Sequence, residues 1–297
     1  MPNTRDIRRR IKSITNTAQI TRAMELVAAS KMKKAQDAAV AGRPYGQLLA
    51  EILHALAEQI EEKKLRHPLL DKRDLKRRGV LLISADRGLC GPLLSNLFHL
   101  VVETGAEQTV RYVTIGRKGM QFVSRTRRDL MADFPVSDRV AFAEVRPAIE
   151  FLLKAYQDGE VDTIEVLYSE FINNLRQEPS LIQLVPVENL QAIIESYEKI
   201  MDYTANAPIA DDRREMLFEP APDLILNELL ANYIKREIHQ MVLEAKASEH
   251  SARRVAMKSA TDNAHELIDG LTLQYNKVRQ AAITQEILEI AAAAVSN

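Results

Sequence analysis

The chain is poor in the residues that build disulfide frameworks, aromatic cores and tight turns. Its 297 residues include one cysteine, Cys90, no tryptophan and ten glycines, and aromatic side chains make up 5% of the sequence. A single cysteine excludes an intrachain disulfide and a cysteine-based zinc cluster, which fits a reducing compartment. We expect Cys90 to be a buried, unreactive thiol. Scarce glycine and aromatic residues favour a structure rich in helix.

Long apolar runs are also absent. No stretch of about 18 apolar residues occurs, so the sequence predicts no membrane-spanning helix. The opening MPNTRDIRRR lacks the apolar core and the cleavage site of a secretory signal. Any association with a membrane is therefore expected to go through a partner.

Motifs for nucleotides and metals are missing as well. There is no G-x-x-x-x-G-K-[ST] phosphate loop and no H-E-x-x-H metal motif. Gly88 with Gly91, and Gly116 with Gly119, sit at predicted strand-to-helix turns without completing G-x-G-x-x-G, so turn geometry explains them better than a dinucleotide. We expect no catalytic site, metal or cofactor. Three histidines of the last segment are expected at the surface: His239, His250 and His265.

Positive charge is concentrated near the amino terminus, although the net charge of the chain is −1. Residues 1–34 hold nine Lys or Arg and two acids, a local charge of +7 that includes Arg8, Arg9 and Arg10. Such an arm can meet nucleic acid, anionic lipid or an acidic protein sleeve, or can be the solvated face of a helix. Composition alone leaves these alternatives open.

The first segment, residues 1–62, has the spacing of a helix that packs along one stripe. Apolar or small residues recur at intervals of four and three, which predicts a partner helix. The predicted stripe consists of Ile7, Ile11, Ile14, Ala18, Met24, Ala28, Met32, Ala35 and Ala39. Glycine and proline in GRPYG (42–46) predict a kink, and LLAEILHALAEQIEE (48–62) predicts further helix.

The last segment, residues 223–297, predicts one helix of about 70 residues, roughly 105 Å long. Asp223 follows two prolines and can cap it, and no proline occurs afterwards. A helix of this length that is too polar to span a membrane indicates a coiled coil. The predicted seam residues are Ile234, Ile238, Met241, Ala245, Ser248, Ala252 and Val255, then Ala264, Leu267, Leu271, Val278, Ala281 and Leu288.

Between the helices, residues 75–205 alternate short apolar runs with helical stretches, as an α/β domain does. The predicted strands are 80–84, 110–116, 163–171 and 181–187. Residues 206–222, rich in Ala, Pro and Asp, form a predicted linker. One long helix enters this domain and the other leaves it, so the predicted fold is an antiparallel two-helix coiled coil joined to a Rossmann-like α/β domain.

The end of the last helix is apolar nearly all round. In AAITQEILEIAAAAV (281–295) four residues are polar. Such a helix needs surroundings other than water. Because the last helix is longer than the first, this end is expected to project beyond the pair, and we expect a partner to cover it.

Three stretches resemble the gamma subunits of F-type ATP synthases. They are IRRRIKSITNTAQITRAMELVAASKM (7–32), SADRGLCG (84–91) and SARRVAMKSATDNAHELIDGLTLQYNKVRQAAITQEILEI (251–290). They occur in the family's order, with matching segment lengths over the whole chain. The inserted cysteine pair of redox-regulated chloroplast gamma subunits is missing and no transit peptide is evident, so a bacterial member is expected.

The resemblance implies a central rotor shaft that couples ion flow to ATP synthesis or hydrolysis at the beta subunits, without a catalytic site of its own. It implies that the coiled coil occupies the cavity of the alpha/beta hexamer, and that the α/β domain meets the epsilon subunit and the c-ring of the membrane sector. It implies no nucleic-acid partner. The expected location is the cytoplasmic face of the bacterial plasma (inner) membrane, as a peripheral protein.

The resemblance also implies which side chains meet which partner. The residues that would contact the beta subunit are Met24, Arg279, Gln280 and Thr284. Those that would bear against the hexamer are Ile287, Leu288 and Ile290. The basic arm, Arg8 to Arg10, would meet acidic sleeve residues, and Phe218 and Glu219 would lie near the c-ring and epsilon. For the polar positions, an ordinary solvated or linker role is the alternative.

Two other classes of function remain open from the residues alone. One is an enzyme that uses the α/β domain with a nucleotide cofactor, which calorimetry would detect as ligand binding. The other is a coiled-coil scaffold or nucleic-acid binder that uses the basic arm, with salt-dependent affinity. Neither explains the apolar end of the last helix.

Overall fold

The computed structural model describes residues 4–42, 68–70, 73–104, 109–187 and 222–295, with single positions between 44 and 56. Within these residues the helices are α1 (Thr4–Ala41), α2 (Leu93–Thr104), α3 (Arg117–Arg125), α4 (Phe142–Gln157) and α5 (Pro222–Val295). The strands are β1 (Arg77–Ile83), β2 (Thr109–Ile115), β3 (Asp129–Phe134), β4 (Thr163–Phe171) and β5 (Gln177–Val185).

The long helices and the central sheet confirm the predicted fold class. Helix α1 ends at Ala41, where GRPYG predicted an interruption, and the described positions 48, 49, 52 and 56 are helical. The rest of the helix predicted over 48–62 lies outside the described residues. So does the predicted linker, apart from its last residue, Pro222, which begins α5.

The chain forms two compact units: the first comprises Met1–Ser30 with Arg253–Asn297, and the second Lys31–Ala252. In the first unit, parts of α1 and α5 share a buried seam. Its fully buried members are Ile7, Ala18, Glu25, Ala28, Met257, Thr261 and Ala264. The hydroxyls of Thr21 and Thr261 meet at 2.7 Å across this seam, so two polar residues join the helices directly.

The predicted seam of the last helix was wrong at four positions in this unit. Val255, Leu267, Ala281 and Leu288 are exposed, and the half-buried positions include Ile268 and Tyr275 instead. The observed seam runs 257, 261, 264, 268, 271, 275 and 278, an unbroken alternation of four and three. The prediction placed Val255 in the seam, left out Met257 and Thr261, and so lost this phase. A threonine is tolerated in the seam because its hydroxyl is hydrogen-bonded.

The second unit contains a five-stranded sheet in the order β3-β2-β1-β4-β5. The first four strands are parallel, and β5 runs antiparallel to β4 at one edge. The predicted strands correspond to β1, β2, β4 and β5, but β3 was missed. Its sequence, DLMADF, is only partly buried at the other edge and therefore lacks an apolar run.

Both faces of the sheet are covered by helices. On one face, α4 and the early part of α5 pack against β1, with Ile149, Leu152, Ile234 and Ile238 fully buried. On the other face, α2 packs through Leu97. Burying a large aliphatic side chain contributes about 1.5–3 kcal/mol, so these layers account for much of the unit's stability.

Within the second unit, α1 and α5 run antiparallel. Near the end of α1, the Gly42 carbonyl accepts a 2.7 Å hydrogen bond from Arg236, which lies early in α5. Eleven residues before Gly42, Lys31 of α1 reaches Asp138, the same carboxylate that His250, later in α5, approaches at 3.7 Å. The predicted antiparallel arrangement is therefore confirmed here.

Gly116 and Gly119 allow the end of β2 and the start of α3 to approach β1. The Ser84 hydroxyl donates to the Gly116 carbonyl at 3.0 Å and accepts from the Gly119 amide at 2.7 Å. A Cβ on Gly116, which has a φ of +99°, would lie 2.1 Å from the Ser84 carbonyl oxygen. Close backbone packing therefore accounts for this glycine pair.

We predict that Gly116→Ala lowers the free energy of unfolding of the full chain by roughly 2–4 kcal/mol, because the new carbon would both clash and strain the backbone. Urea denaturation followed by circular dichroism measures the change. Gly88→Ala is the matched control: no heavy atom lies within 4 Å of its added carbon, so its effect should stay within about 0.5 kcal/mol. Equal effects of the two substitutions would contradict this interpretation.

Candidate partner-binding surface

Among the described residues of the first unit, none covers the carboxyl-terminal part of α5. The last half-buried seam residue is Val278, and every described side chain from 279 to 288 is exposed. Ile283, Ile287, Leu288 and Ile290 are 47%, 59%, 60% and 70% exposed. Helix α1 begins at Thr4, so its described residues end before they can cover this part. A cluster of large exposed apolar side chains marks a surface for interaction.

This exposed end is one-sided. Successive residues of an α-helix are about 100° apart, so Ile283, Ile287 and Ile290 project within about 60° of one another. Across residues 281–288, the opposite side carries Ala281, Gln285 and one large apolar residue, Leu288. A partner that surrounds the helix would therefore meet three isoleucines in one direction and a single leucine among small and polar residues in the other.

The three polar residues predicted to contact a partner lie at the start of this end. Arg279, Gln280 and Thr284 are all exposed. The Arg279 guanidinium lies 5.9 Å from the centre of the Tyr275 ring, and the Thr284 hydroxyl donates to the Gln280 carbonyl at 2.9 Å. The structure thus brings these three residues together on an accessible stretch of helix.

The other predicted contact residues are more dispersed. Met24 is half-buried on α1, and Arg8, Arg9 and Arg10 are exposed. Arg9 forms a solvent-exposed ion pair with Asp6 at 3.3 Å, an interaction of little energetic weight. All three arginines of the basic arm are therefore accessible in this unit. Phe218 and Glu219 lie outside the described residues.

Sequence reasoning missed a group of six charged or titratable residues in the second unit, which we call the charged cluster. Its members are Lys31, Asp86, Asp138, Lys246, Glu249 and His250. The side chains of Lys246, Glu249 and His250 are 2%, 6% and 3% exposed. The predicted surface position of His250 was therefore wrong.

The prediction for His239 was also wrong, whereas His265 is exposed as predicted. His239 is partly buried, and its Nε2 lies 3.0 Å from the Val140 carbonyl oxygen. Nearly every residue from 241 to 252 is buried, so this part of α5 has contacts on all sides. Periodicity cannot reveal such a segment, because no solvent-facing stripe exists. The only available signal was the spacing of 246, 249 and 250 along one helix.

The pKa values in the charged cluster favour the charged forms. Burial by itself lowers the pKa of Lys246, but Glu249 and then Asp86 raise it by more, so it lies above its ordinary value. Burial by itself raises the pKa of Asp138, but the hydrogen bond from Lys31 and the neighbouring His250 lower it below its ordinary value. Lysine and carboxylate therefore stay ionised at neutral pH.

A second polar group contains Tyr168 and Glu244. The Tyr168 hydroxyl donates to one Glu244 oxygen at 3.4 Å, and the Gln240 amide donates to the other at 3.1 Å. Burial, with the nearby carboxylates of Glu170 and Glu237, raises the pKa of Glu244. Burial also raises the pKa of Tyr168. Ionised Glu244 is thus a cost to the folded state.

Helix α5 lies across the carboxyl ends of β1 and β4, where Rossmann-type sheets bind nucleotides. Lys246 contacts Asp86, which follows β1, and Ser251 donates to the Asn174 carbonyl, which follows β4, at 2.8 Å. Ala252 packs against Cys90 and Leu93, and Cys90 is buried as predicted. The chain itself therefore fills this crevice.

The described residues contain neither a metal-binding cluster nor a membrane-spanning helix. No group of three or more His, Cys, Asp or Glu side chains is arranged to hold a metal ion. No helix among these residues is long and apolar enough to cross a membrane.

These features define a class of protein that combines two long paired helices with a five-stranded α/β sheet and leaves an apolar helix end exposed. The model of the family described as ATP synthase matches residues 3–296. An "ATP synthase gamma chain" of Opitutus terrae is 56% identical over 293 residues, which cover 99% of this chain and 98% of the relative. One of Methylacidiphilum infernorum is 44% identical, with 99% and 98% covered.

Solved structures show the same fold. A chain of the Euglena gracilis mitochondrial ATP synthase, in a structure described as OSCP/F1/c-ring, has a TM-score of 0.63 at 16% identity, with 99% of this chain and 94% of that chain covered. A chain from the Tetrahymena thermophila central stalk and c-ring structure has a TM-score of 0.57 at 22% identity, with 81% and 99% covered. The chain belongs to the ATP synthase gamma-chain family, which confirms the resemblance found in the sequence.

We predict that Glu244→Gln stabilises the chain at neutral pH by on the order of 1 kcal/mol, because it removes a buried negative charge and keeps both hydrogen-bond partners. The folded-state pKa of Glu244 is raised, so its cost is absent below the unfolded pKa of about 4.3 and grows as pH rises through the folded pKa. The advantage of the variant should therefore vanish in acid.

Urea midpoints between pH 4 and pH 8 measure this pH dependence. Glu150→Gln is the control, since Glu150 forms a solvent-exposed ion pair with Arg146 at 2.6 Å and exposed pairs contribute about 0–1 kcal/mol. A Glu244→Gln midpoint that is lowered at pH 8, or shifted equally at both ends of the range, would contradict the assignment.

Proposed function

We propose that this chain is the rotating central shaft of an F-type ATP synthase and couples ion flow through the membrane sector to ATP synthesis or hydrolysis at the beta subunits. The observation that supports this most directly is the exposed, one-sided apolar end of α5 in a member of the gamma-chain family. The chain has no catalytic role of its own in this proposal. It acts through contacts with its partners.

The proposed partners follow from the surfaces and the family. The alpha and beta subunits surround the exposed end of α5, with Ile287, Leu288 and Ile290 as the bearing. The α/β domain meets the epsilon subunit and the c-ring near Phe218 and Glu219. The related mitochondrial chains come from structures described as a rotor and as a central stalk with c-ring, which supports this arrangement. The chain then lies at the cytoplasmic face of the bacterial plasma membrane, held through its partners.

The physical mechanism is a shift of populations. Each beta subunit exchanges between conformations that differ in nucleotide affinity, and a contact that favours one conformation raises its population. A shaft with identical contacts on all sides would shift nothing. The face of α5 with three isoleucines differs from the opposite face with Ala281, Gln285 and Leu288. This difference supplies the asymmetry, and turning the shaft moves the favoured conformation to the next subunit.

The polar residues at the start of the exposed end provide the directional contacts of the shaft with a beta subunit. Arg279, Gln280 and Thr284 offer a guanidinium, an amide and a hydroxyl oxygen on an accessible helix surface. Polar groups fix orientation and register in an interface where apolar contacts alone are non-directional. Met24, half-buried on α1, is the proposed apolar contact of the other helix with a beta subunit.

We predict that a disulfide between Thr284→Cys and a cysteine in the facing loop of a beta subunit stops multisite ATP turnover, lowering it by about tenfold or more, because each shaft position then favours one beta conformation permanently. The enzyme carries Cys90→Ala to remove the native thiol. ATP hydrolysis is measured before and after reduction, which should restore it. The control is Thr272→Cys, an exposed threonine on the same helix, without a partner cysteine. Full turnover in the cross-linked enzyme would contradict the proposed contact.

We predict that the double substitution Ile287→Asp and Ile290→Asp weakens binding to the alpha/beta hexamer by about 100-fold or more, since each buried isoleucine is worth about 1.5–3 kcal/mol. Fluorescence titration of hexamer with labelled chain measures the affinity. The helical content should not change, because both side chains are exposed in the chain itself.

The matched control for this pair is Val102→Asp on α2. Val102 is 52% exposed and lies on the α/β domain of the second unit, which contains none of the residues changed in the double variant. Its affinity for the hexamer should equal that of the native chain. Unaltered binding of the double variant would show that the exposed end of α5 is not the hexamer contact.

A further inference from the structure

The charged cluster joins both long helices to two loops of the sheet. Asp138, in the loop after β3, accepts a 2.5 Å hydrogen bond from Lys31 of α1 and lies 3.7 Å from His250 of α5. Asp86, in the loop after β1, lies 3.4 Å from Lys246 of α5. Lys246 also contacts Glu249 at 3.3 Å.

We propose that the charged cluster sets the rotational orientation of α1 and α5 about their own axes relative to the sheet. Its residues act as positioning residues and contribute little to stability. The importance of this orientation for torque rests on the function proposed above. The orientation itself is a property of the second unit alone.

The remaining contacts of α5 with this domain constrain its rotation less. The apolar ones, as with Ile234, Ile238 and Val242, have no preferred direction, because the hydrophobic effect has none. The directional ones are single hydrogen bonds, such as those between His239 and the Val140 carbonyl and between Ser251 and the Asn174 carbonyl, and each ties one side chain to one loop. Farther along, Ala245, Ser248 and Ala252 present small side chains to their surroundings. A helix that packs through small and flexible apolar groups can turn by some degrees at little cost.

Contacts between charged or titratable side chains at defined positions restrict the rotation of α1 and α5 about their own axes. Lys246 and His250 lie one turn apart on α5 and reach two different loops, so a rotation of the helix would lengthen both contacts. Lys31 ties α1 to the same Asp138 that faces His250, so the orientation of one helix depends on that of the other. Together, Lys31, Lys246 and His250 thus select one rotational orientation of the two helices relative to the sheet.

Energetics supports positioning over stabilisation. Removing ions from water costs about as much as their attraction returns, and apolar groups of similar volume often give equal or greater stability. A retained buried ion pair is best attested as a device that selects one arrangement among several. Lys246, at 2% exposure with two carboxylates in reach, fits that role.

The test measures orientation and stability separately in the full chain. Spin labels are attached at two exposed positions of the second unit, Glu228→Cys on α5 and Lys154→Cys on α4, in a Cys90→Ala background. A second label pair joins Lys34→Cys on α1 to the same site on α4. All three label sites are exposed. Double electron–electron resonance gives the width of each distance distribution, and urea denaturation gives the midpoint.

Charges are removed in pairs of opposite sign, so that the net charge of the cluster does not change; Asp86, which loses Lys246, still lies 3.9 Å from Arg117. The combination Lys246→Met with Glu249→Gln should broaden the α5–α4 distribution by about twofold, with the urea midpoint unchanged or raised. Lys31→Met with Asp138→Asn should do the same for α1–α4, with the midpoint nearly unchanged because this pair is largely exposed. The control Arg176→Met with Glu178→Gln removes an exposed pair on the sheet and should leave both widths unchanged.

Unchanged widths with lowered midpoints would overturn the proposal, since the cluster would then be a stabilising element only. Unchanged widths with unchanged midpoints would overturn it as well. Because both measurements use the chain without its partners, their outcome is separate from that of the rotary function: broadened distributions stand even if no rotation is found in the assembled enzyme.

Discussion

Helix α5 extends beyond the point where its pairing with α1 ends. The exposed apolar surface of the unpaired end follows from this difference in length, and the proposed function depends on it. Up to Val278 the seam of α5 is at least half-buried, and beyond it large apolar side chains face outward. Such a surface is costly in water and favourable inside a partner. Its isoleucines cluster on one side of the helix. A partner that covers this surface therefore meets different side chains on different sides of α5. In the proposed function, exposure and asymmetry together let this helix end make different contacts with the beta subunits that surround it.

In both units, polar residues select the register and arrangement of the paired helices α1 and α5. In the first, Thr21 and Thr261 meet across the seam, and Glu25, 8% exposed, pairs with Arg22 at 2.8 Å. A polar residue in a helix seam costs stability and selects register. In the second, the charged cluster contacts both helices. Apolar burial holds each unit together, while a few hydrogen bonds and ion pairs choose among the arrangements that burial would allow.

The sequence predicted the elements whose signals are local. Apolar runs located β1, β2 and β4, and the absence of proline and nearly of glycine predicted α5 as one helix.

Strand β3 was missed because an edge strand with Asp129 and Asp133 has no apolar run. The seam phase was lost at Thr261, since a buried threonine looks like a surface residue until its partner is known. The charged cluster was beyond prediction, because Lys31, Asp86, Asp138 and Lys246 meet only in the folded chain. The proposed contact residues came from family resemblance, and the structure shows Arg279, Gln280 and Thr284 to be accessible.

Rotation of the shaft inside its hexamer is the central claim, and observing it directly is the most decisive measurement. The alpha and beta subunits of the same organism, assembled with this chain, are fixed to glass, and a bead is attached to Gln157→Cys, an exposed position on the α/β domain, in the Cys90→Ala background. On addition of ATP, the account predicts that the bead turns in one direction with pauses about every 120°, as expected for three equivalent sites around the shaft. A bead that stays in place, or only fluctuates, while the attached hexamer hydrolyses ATP would contradict it.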